Sequence, residues 1–217
     1  MPDPLQTERL LLRRFIPERT MQSAATHSAA ATHSAAATVR SDAQNLFDLD
    51  ADPAVMRYLS GGPGTPMAVI KGEILPRFAA EHRDHPGFGF WAAEDRQTGR
   101  FLGWFCLRVV DDDLTVGALG YRLRRAAWGR GLATEGGQCL LRHAFVDLGL
   151  RRVVATTYEE NMASRRVMEK LGMTLARRYR LTPEDLAAWD TFVSEGDDVW
   201  DGDDLEYALT KEEWTAQ

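Results

Sequence analysis

Residues 122–135 hold the densest set of groups that could do chemistry. Arg124, Arg125 and Arg130 flank two glycines, Gly129 and Gly131, and an apolar-periodic segment begins directly after them. The start of a helix leaves backbone N–H groups without intrahelical partners and carries a partial positive charge, so it suits an anion. Glycine lets the backbone come close to phosphate oxygens because no Cβ stands in the way. The chemistry expected here is the binding of a phosphate or pyrophosphate. A Walker loop would need Gly-Lys-Ser/Thr at this place, and the sequence has none. A dinucleotide fingerprint would need a third glycine and an early parallel strand unit. A turn with a purely structural role is the remaining alternative.

Elements on both sides must hold that loop. Residues 115–123 read as the strand that leads into it. Residues 133–148 read as a long helix, with apolar or small residues at 133, 137, 140, 141, 144, 145 and 148, ended by Gly149 with Leu150 just beyond. Residues 89–94 and 101–109 are two further strands around the turn Gln97-Thr98-Gly99, and Asp111-Asp112-Asp113 turns the chain into the third. The three form an antiparallel meander.

The opening strand covers residues 9–15. After Ser41, Leu46 and Leu49 mark a short amphipathic helix. Asp52-Pro53 caps another, with Val55, Met56 and Leu59 on its buried side. Thr65-Pro66 repeats the cap signal for a longer helix carrying Met67, Ile70, Ile74 and Phe78, which Pro76 should kink or shorten. Downstream come a strand at 152–158, a short helix capped by Asn161 with Val167, Met168 and Leu171 inward and its end at Gly172, and strands at 174–180 and 205–209. The last two strands are separated by an acidic segment that contains Trp189, Phe192 and Trp200. The fold class expected is α/β (α+β), built on one sheet.

The chain of 217 residues suits a single domain over 1–217. Within it, residues 18–40 form a low-complexity insertion in which Ala25-Thr26-His27-Ser28-Ala29-Ala30 recurs as Ala31-Thr32-His33-Ser34-Ala35-Ala36. A period of six keeps no face of a helix constant. His27 and His33 therefore do not share a face, no Cys or carboxylate lies within the repeat, and no metal is expected. A net charge of −6 argues against a general nucleic-acid partner. No window reaches the ~18 apolar residues of a membrane helix. The start Met1-Pro2-Asp3-Pro4 lacks the basic and then apolar run of a signal peptide, and Cys106 and Cys139 lie in apolar segments as buried free thiols. The expectation is a cytoplasmic protein, monomer or homodimer, without a membrane partner.

The motifs then become specific. Trp128-Gly129-Arg130-Gly131-Leu132-Ala133-Thr134-Glu135 resembles the acetyl-CoA pyrophosphate loop of the GNAT acetyltransferases. Asn161-Met162-Ala163-Ser164, followed by Lys170-Leu171-Gly172, resembles the downstream signature of one branch, similar to the ribosomal-protein-alanine N-acetyltransferases. The opening Leu5-Gln6-Thr7-Glu8-Arg9, the stretch Asp52-Pro53-Ala54-Val55-Met56-Arg57-Tyr58 and the closing Glu206-Tyr207-Ala208-Leu209 match the same branch. The likeness spans nearly the whole chain except about residues 18–40.

The resemblance implies a mostly antiparallel central sheet with a V-shaped splay between the strands at 115–123 and 152–158, and helices on both faces. It implies acetyl-CoA as cosubstrate and an amine acceptor, a protein N-terminus or a small amine. The cofactor-binding set it implies is Leu123, Arg124, Arg125, Gly129, Arg130, Gly131, Leu132, Ala133, Thr134, Asn161 and Arg165. A backbone N–H in the splay, near Tyr121 to Leu123, is the expected oxyanion donor. Asn161 would hold the pantetheine arm, with a plain N-cap as its alternative role. Many relatives have a tyrosine four residues before the Leu-Gly glycine to protonate the leaving thiolate. Met168 stands there, so Ser164 is the expected proton donor, with an ordinary first-turn serine as the alternative.

The branch usually has a glutamate in the third strand of the meander, and Ala118 occupies that place. A water relay, a substitute carboxylate such as Glu94 or Glu159, or impaired catalysis in a CoA-binding regulatory module are the readings this leaves. Residues 41–80 and the C-terminal segment should frame the acceptor pocket, where Arg57, Tyr58, Trp91 and Trp104 mix with acidic residues. The insertion precedes this region and is placed to lid the acceptor cleft.

Overall fold

The structure is a computed structural model and describes residues 4–16, 40–59, 64–180 and 202–217. The 18–40 repeat, apart from Arg40, lies outside the described residues. So does the segment with Trp189, Phe192 and Trp200, and neither the lid reading nor the metal-free reading of His27 and His33 is addressed by it.

One sheet of eight strands organises the described chain: β1 (Leu5–Gln6), β2 (Leu10–Arg14), β3 (Gly89–Asp95), β4 (Phe101–Val110), β5 (Asp113–Leu123), β6 (Arg152–Tyr158), β7 (Thr174–Tyr179) and β8 (Asp204–Thr210). Their spatial order is β1-β2-β3-β4-β5-β6-β8-β7. Strands β3 to β5 form the expected antiparallel meander, and β2 adds antiparallel to β3. β8 inserts antiparallel between β6 and β7, an order that sequence succession does not reveal.

The single parallel pair, β5 with β6, positions the site. It lasts for only three partners, Val116↔Arg152, Gly117↔Val153 and Ala118↔Val154. Beyond Ala118, β5 stays paired with β4 as far as Gly103↔Leu123, while β6 stays paired with β8 as far as Tyr158↔Asp204. The two halves of the sheet therefore part in the expected V.

Helices cover both faces. On one face lie α1 (Asp42–Asp50), α2 (Pro53–Met56) and α3, a continuous helical run through Met67–Val69, Ile70–Ile74 and Leu75–Asp84. Ser41 and Asp52 cap α1 and α2 through bonds from Gln44 N and Ala54 N. Leu46, Leu49, Ile70, Phe78, Phe90 and Trp104 fill the core between this layer and the sheet. Helices α4 (Leu132–Arg142, extended by the wide turn His143–Asp147) and α5 (Met162–Lys170) lie on the other face. Leu140, Phe145, Met168 and Leu171 pack there on Phe105, Leu107 and Leu119. A Cβ added at Gly136 would stand 2.2 Å from Phe105 Cζ, so the absence of a side chain is what lets α4 lie this close to the sheet. The chain ends in α6 (Lys211–Thr215), whose capping box joins Thr210 and Glu213.

Three local expectations need correction. Thr65 does not cap α3; its hydroxyl donates to Asp50 Oδ2 at 2.7 Å, and no side chain caps the helix at Pro66. Of the two effects expected of Pro76, a kink or a shortening of α3, the shortening does not occur. The π-type turn Ile70–Ile74 precedes it, and widening the helix there makes room for the ring that would otherwise meet the carbonyl one turn back. Leu59 is 43% exposed rather than buried, because α2 ends at Met56 and Leu59 lies on the wall of a cavity.

Charge pairs tie the helical layer to the sheet. Arg13 on β2 holds Asp42 of α1 through two bonds of 2.7 Å and also reaches Glu94. Arg122 on β5 and Asp50 at the end of α1 form a buried pair at 2.5 Å, with side chains only 5% and 3% exposed.

Candidate active site

A cavity of about 490 Å³ opens where β5 and β6 part. Its walls come from α2 and the residues after it, the end of β5, the loop before α4, the first turn of α4 and one face of α5.

The loop makes an anion cradle from the backbone. Gly129 and Gly131 have φ of 70° and 76°, left-handed values that side chains rarely adopt. They turn the chain so that α4 starts at Leu132 with Gly131 as its N-cap and no side-chain cap. The first N–H groups, those of Leu132, Ala133 and Thr134, have no intrahelical acceptor, and these three residues line the cavity. This arrangement fits a pyrophosphate.

The splay supplies a second set of donors. Arg124 N donates to Leu102 O at 2.8 Å, which fixes the alternation along β5. The N–H groups of Gly120 and Arg122 face β4, and those of Tyr121 and Leu123 face the gap beside β6. On that same side the Leu123 carbonyl accepts from Trp128 Nε1 at 2.8 Å, which ties the loop to the end of the strand.

Tyr121 and Ser164 meet across this gap. The Tyr121 hydroxyl lies 2.9 Å from Ser164 Oγ and donates toward Ser164 O at 3.3 Å. Burial pushes the Tyr121 phenol up to about 12, and the bond with Ser164 offsets only part of that, so the phenol stays neutral at ordinary pH. Asn161 Oδ1 accepts from Ser164 N at 3.2 Å, which makes Asn161 the N-cap of α5; its NH₂ takes no part in that bond, and the residue lines the cavity.

Nine of the expected site residues line the cavity together: Tyr121, Leu123, Gly129, Gly131, Leu132, Ala133, Thr134, Asn161 and Ser164. Four do not. Arg124 turns to α1, reaching Asn45 O at 3.4 Å and lying over the Phe101 ring. Arg125 pairs with Asp52 at 3.2 Å. Arg130 offers its carbonyl to Arg9. Arg165 faces the sheet, donating to the Tyr207 hydroxyl and to Glu159 O.

Both candidate substitutes for a glutamate at 118 also lie elsewhere. Glu94 is held by Arg13, and Glu159 accepts from Arg178 and from Asp203 N. Among the described residues no carboxylate lines the cavity. Of the four residues expected near the acceptor, Arg57 and Tyr58 line the cavity, whereas Trp91 and Trp104 are core residues, 4% and 7% exposed.

The lining adds Arg166 and Lys170, which the sequence reading missed, and Val167, which it placed inward only. With Ala163 they follow the 0, 3, 4, 7 spacing of one helix face counted from the capped start of α5, and that spacing was the available signal. Among the described residues neither Arg166 nor Lys170 has an ionic partner.

No group of three His, Cys, Asp or Glu among the described residues is arranged to hold a metal. None of the described helices is long and apolar enough to cross a membrane.

The chain is similar to known proteins. The chain is 32% identical over 178 residues to the FsC-acetyl coenzyme A-N(2)-transacetylase of Aspergillus fumigatus, covering 76% of this chain and 68% of that protein. It is 32% identical over 181 residues to the N-acetyltransferase YnaD of Bacillus subtilis, itself uncharacterized, covering 80% and 90%. A GNAT-family acetyltransferase structure from Bacillus anthracis superposes with a TM-score of 0.69 at 20% identity, covering 96% of this chain and 99% of that one. The family described as acetyltransferase (GNAT) domain matches residues 36–174. This chain, with its splayed sheet and its glycine loop at the start of α4, belongs to the GNAT acetyltransferase family and is an acyl-CoA-dependent acetyltransferase.

Proposed function

We propose that the protein moves an acetyl group from acetyl-CoA directly to a primary amine, on a protein N-terminus or a small molecule. The observation that carries this reading is the convergence on one cavity of the α4 N–H cradle, the splay N–H groups of Tyr121 and Leu123, and the Tyr121–Ser164 pair. The name of the Aspergillus relative, which gives acetyl coenzyme A and a nitrogen position, supports the same donor and acceptor class.

Each group has a task in such a transfer. Acetyl-CoA supplies the activated acetyl group. The N–H groups at the start of α4 bind its pyrophosphate, and Asn161 holds the pantetheine arm. The N–H of Tyr121 or Leu123 stabilises negative charge that develops on the thioester oxygen. Ser164 Oγ relays a proton to the departing sulfur, forming the S–H bond as the C–S bond breaks, and regains one from solvent; the neutral Tyr121 hydroxyl orients that serine.

With Ala118 in the strand and no lining carboxylate among the described residues, the amine loses its proton to solvent. For an amine panel, kcat/KM is therefore expected to rise with pH and to level off at each amine's own pKa. One fixed enzyme pKa shared by all amines would contradict this.

Ala118 also favours a second reading, a CoA-binding module with impaired catalysis. A thiol-release assay with acetyl-CoA and the amine panel separates the two. Amine-dependent release supports transfer, and binding without release assigns the module.

A further inference from the structure

The opening Leu5-Gln6-Thr7-Glu8-Arg9 has no part in the chemistry described so far, yet it touches the anion loop. Arg9 Nε pairs with Glu135 Oε2 at 2.6 Å, and Arg9 N donates to Glu135 Oε1 at 2.9 Å. Thr7 Oγ1 donates to the same oxygen at 2.5 Å. Arg9 Nη1 donates to the carbonyl of Arg130, between the two loop glycines, at 2.9 Å. The turn that presents Thr7 and Arg9 is itself fixed from the β3–β4 hairpin, by Arg96 N to Arg9 O at 3.0 Å and Arg96 Nη1 to Thr7 O at 2.5 Å.

Glu135 sits in the first turn of α4. Burial pushes its carboxyl up, but the bonds from Thr7, Arg9 N–H and the Arg9 guanidinium outweigh that and hold it below its ordinary value. An ionised carboxylate there is favourable for the helix start. It also occupies the same positive field that would attract a phosphate, and it repels one.

We propose that Arg9 is a positioning residue of the cofactor site: it neutralises Glu135 and pins the Arg130 carbonyl, so that the loop before α4 presents a net attractive field to a pyrophosphate. This rests on the reading of the loop as the acetyl-CoA site. Without Arg9 the Glu135 charge has no cation to balance it in the first turn of α4, one residue after the cradle residue Thr134. Without both charges the cradle N–H groups act unopposed.

The proposal therefore expects a reversal that a purely structural tether would not show. Titration calorimetry of CoA into the full chain tests it. Arg9→Ala should weaken CoA binding about five- to tenfold. Glu135→Gln should leave it equal or tighter, and the Arg9→Ala/Glu135→Gln double variant should return to within about threefold of wild type. Arg9→Lys, which keeps the charge but loses the fork, should lie between Arg9→Ala and wild type, and Arg9→Gln serves if the alanine variant does not fold. A double variant as weak as, or weaker than, Arg9→Ala overturns the proposal. No binding of CoA by the wild-type chain would instead overturn the cofactor reading itself.

Discussion

Ser164 and Tyr121 carry the account at the scale of single residues. Ser164→Ala should lower kcat by about 10²-fold, the low end for loss of a general acid, while the KM for acetyl-CoA changes little. Tyr121→Phe should cost less, and its effect should shrink in the Ser164→Ala background, because it acts through that serine. Steady-state kinetics of the three variants measure both. Additive effects would separate the two hydroxyls. Arg166 and Lys170 line the cavity and have no ionic partner among the described residues, so replacing both with alanine should weaken CoA binding, more so at low ionic strength. Calorimetry at two salt concentrations shows it. These residues also mark what a sequence does and does not reveal. Gly129 and Gly131 take left-handed φ values that glycine adopts most readily, and the glycine loop before a helix start was legible from these residues themselves. Asp50 and Arg122 were not, since nothing local pairs two charges 72 residues apart.

Elements decide whether those residues meet. β5 is paired with β6 up to Ala118 and leaves it afterwards, and this one change of partner opens the cavity. The motifs implied the splay, but the insertion of β8 between β6 and β7 depends on pairing between strands far apart in the chain, which periodicity cannot show. Trp91 and Trp104 were expected near the acceptor with Arg57 and Tyr58, but both belong to the core, because a strand's sequence does not show which helix layer covers its faces. The clamp between α1 and β5 is the element-level contact most open to test. Asp50→Ala leaves the buried Arg122 guanidinium without its carboxylate and frees Thr65 as well. Loss of one partner of a buried pair costs about 3–5 kcal/mol, so the urea midpoint should fall markedly. A change within ~0.5 kcal/mol would mean that the pair is solvated.

For the whole molecule, pH probes the burial of Tyr121. The Tyr121 phenol is pushed up to about 12 in the folded chain, against an ordinary value of about 10. A group whose folded pKa is raised contributes stability that is complete below its unfolded pKa and is lost as pH rises through the folded one. Folding stability should therefore decline between about pH 10 and 12. The phenolate absorbance of the native protein, which has five tyrosines, should contain a late component that Tyr121→Phe removes. A Tyr121 step near the ordinary value would place the hydroxyl in water and away from Ser164.

The central claim, acetyl transfer from acetyl-CoA to an amine in the splay cavity, is tested most directly by incubating the full chain with acetyl-CoA and the amine panel while following free CoA thiol and the mass of the amine. The account predicts one thiol released for each amine acetylated on nitrogen, with the rate rising as the amine deprotonates. Acetyl-CoA that binds but releases no thiol with any amine would contradict it.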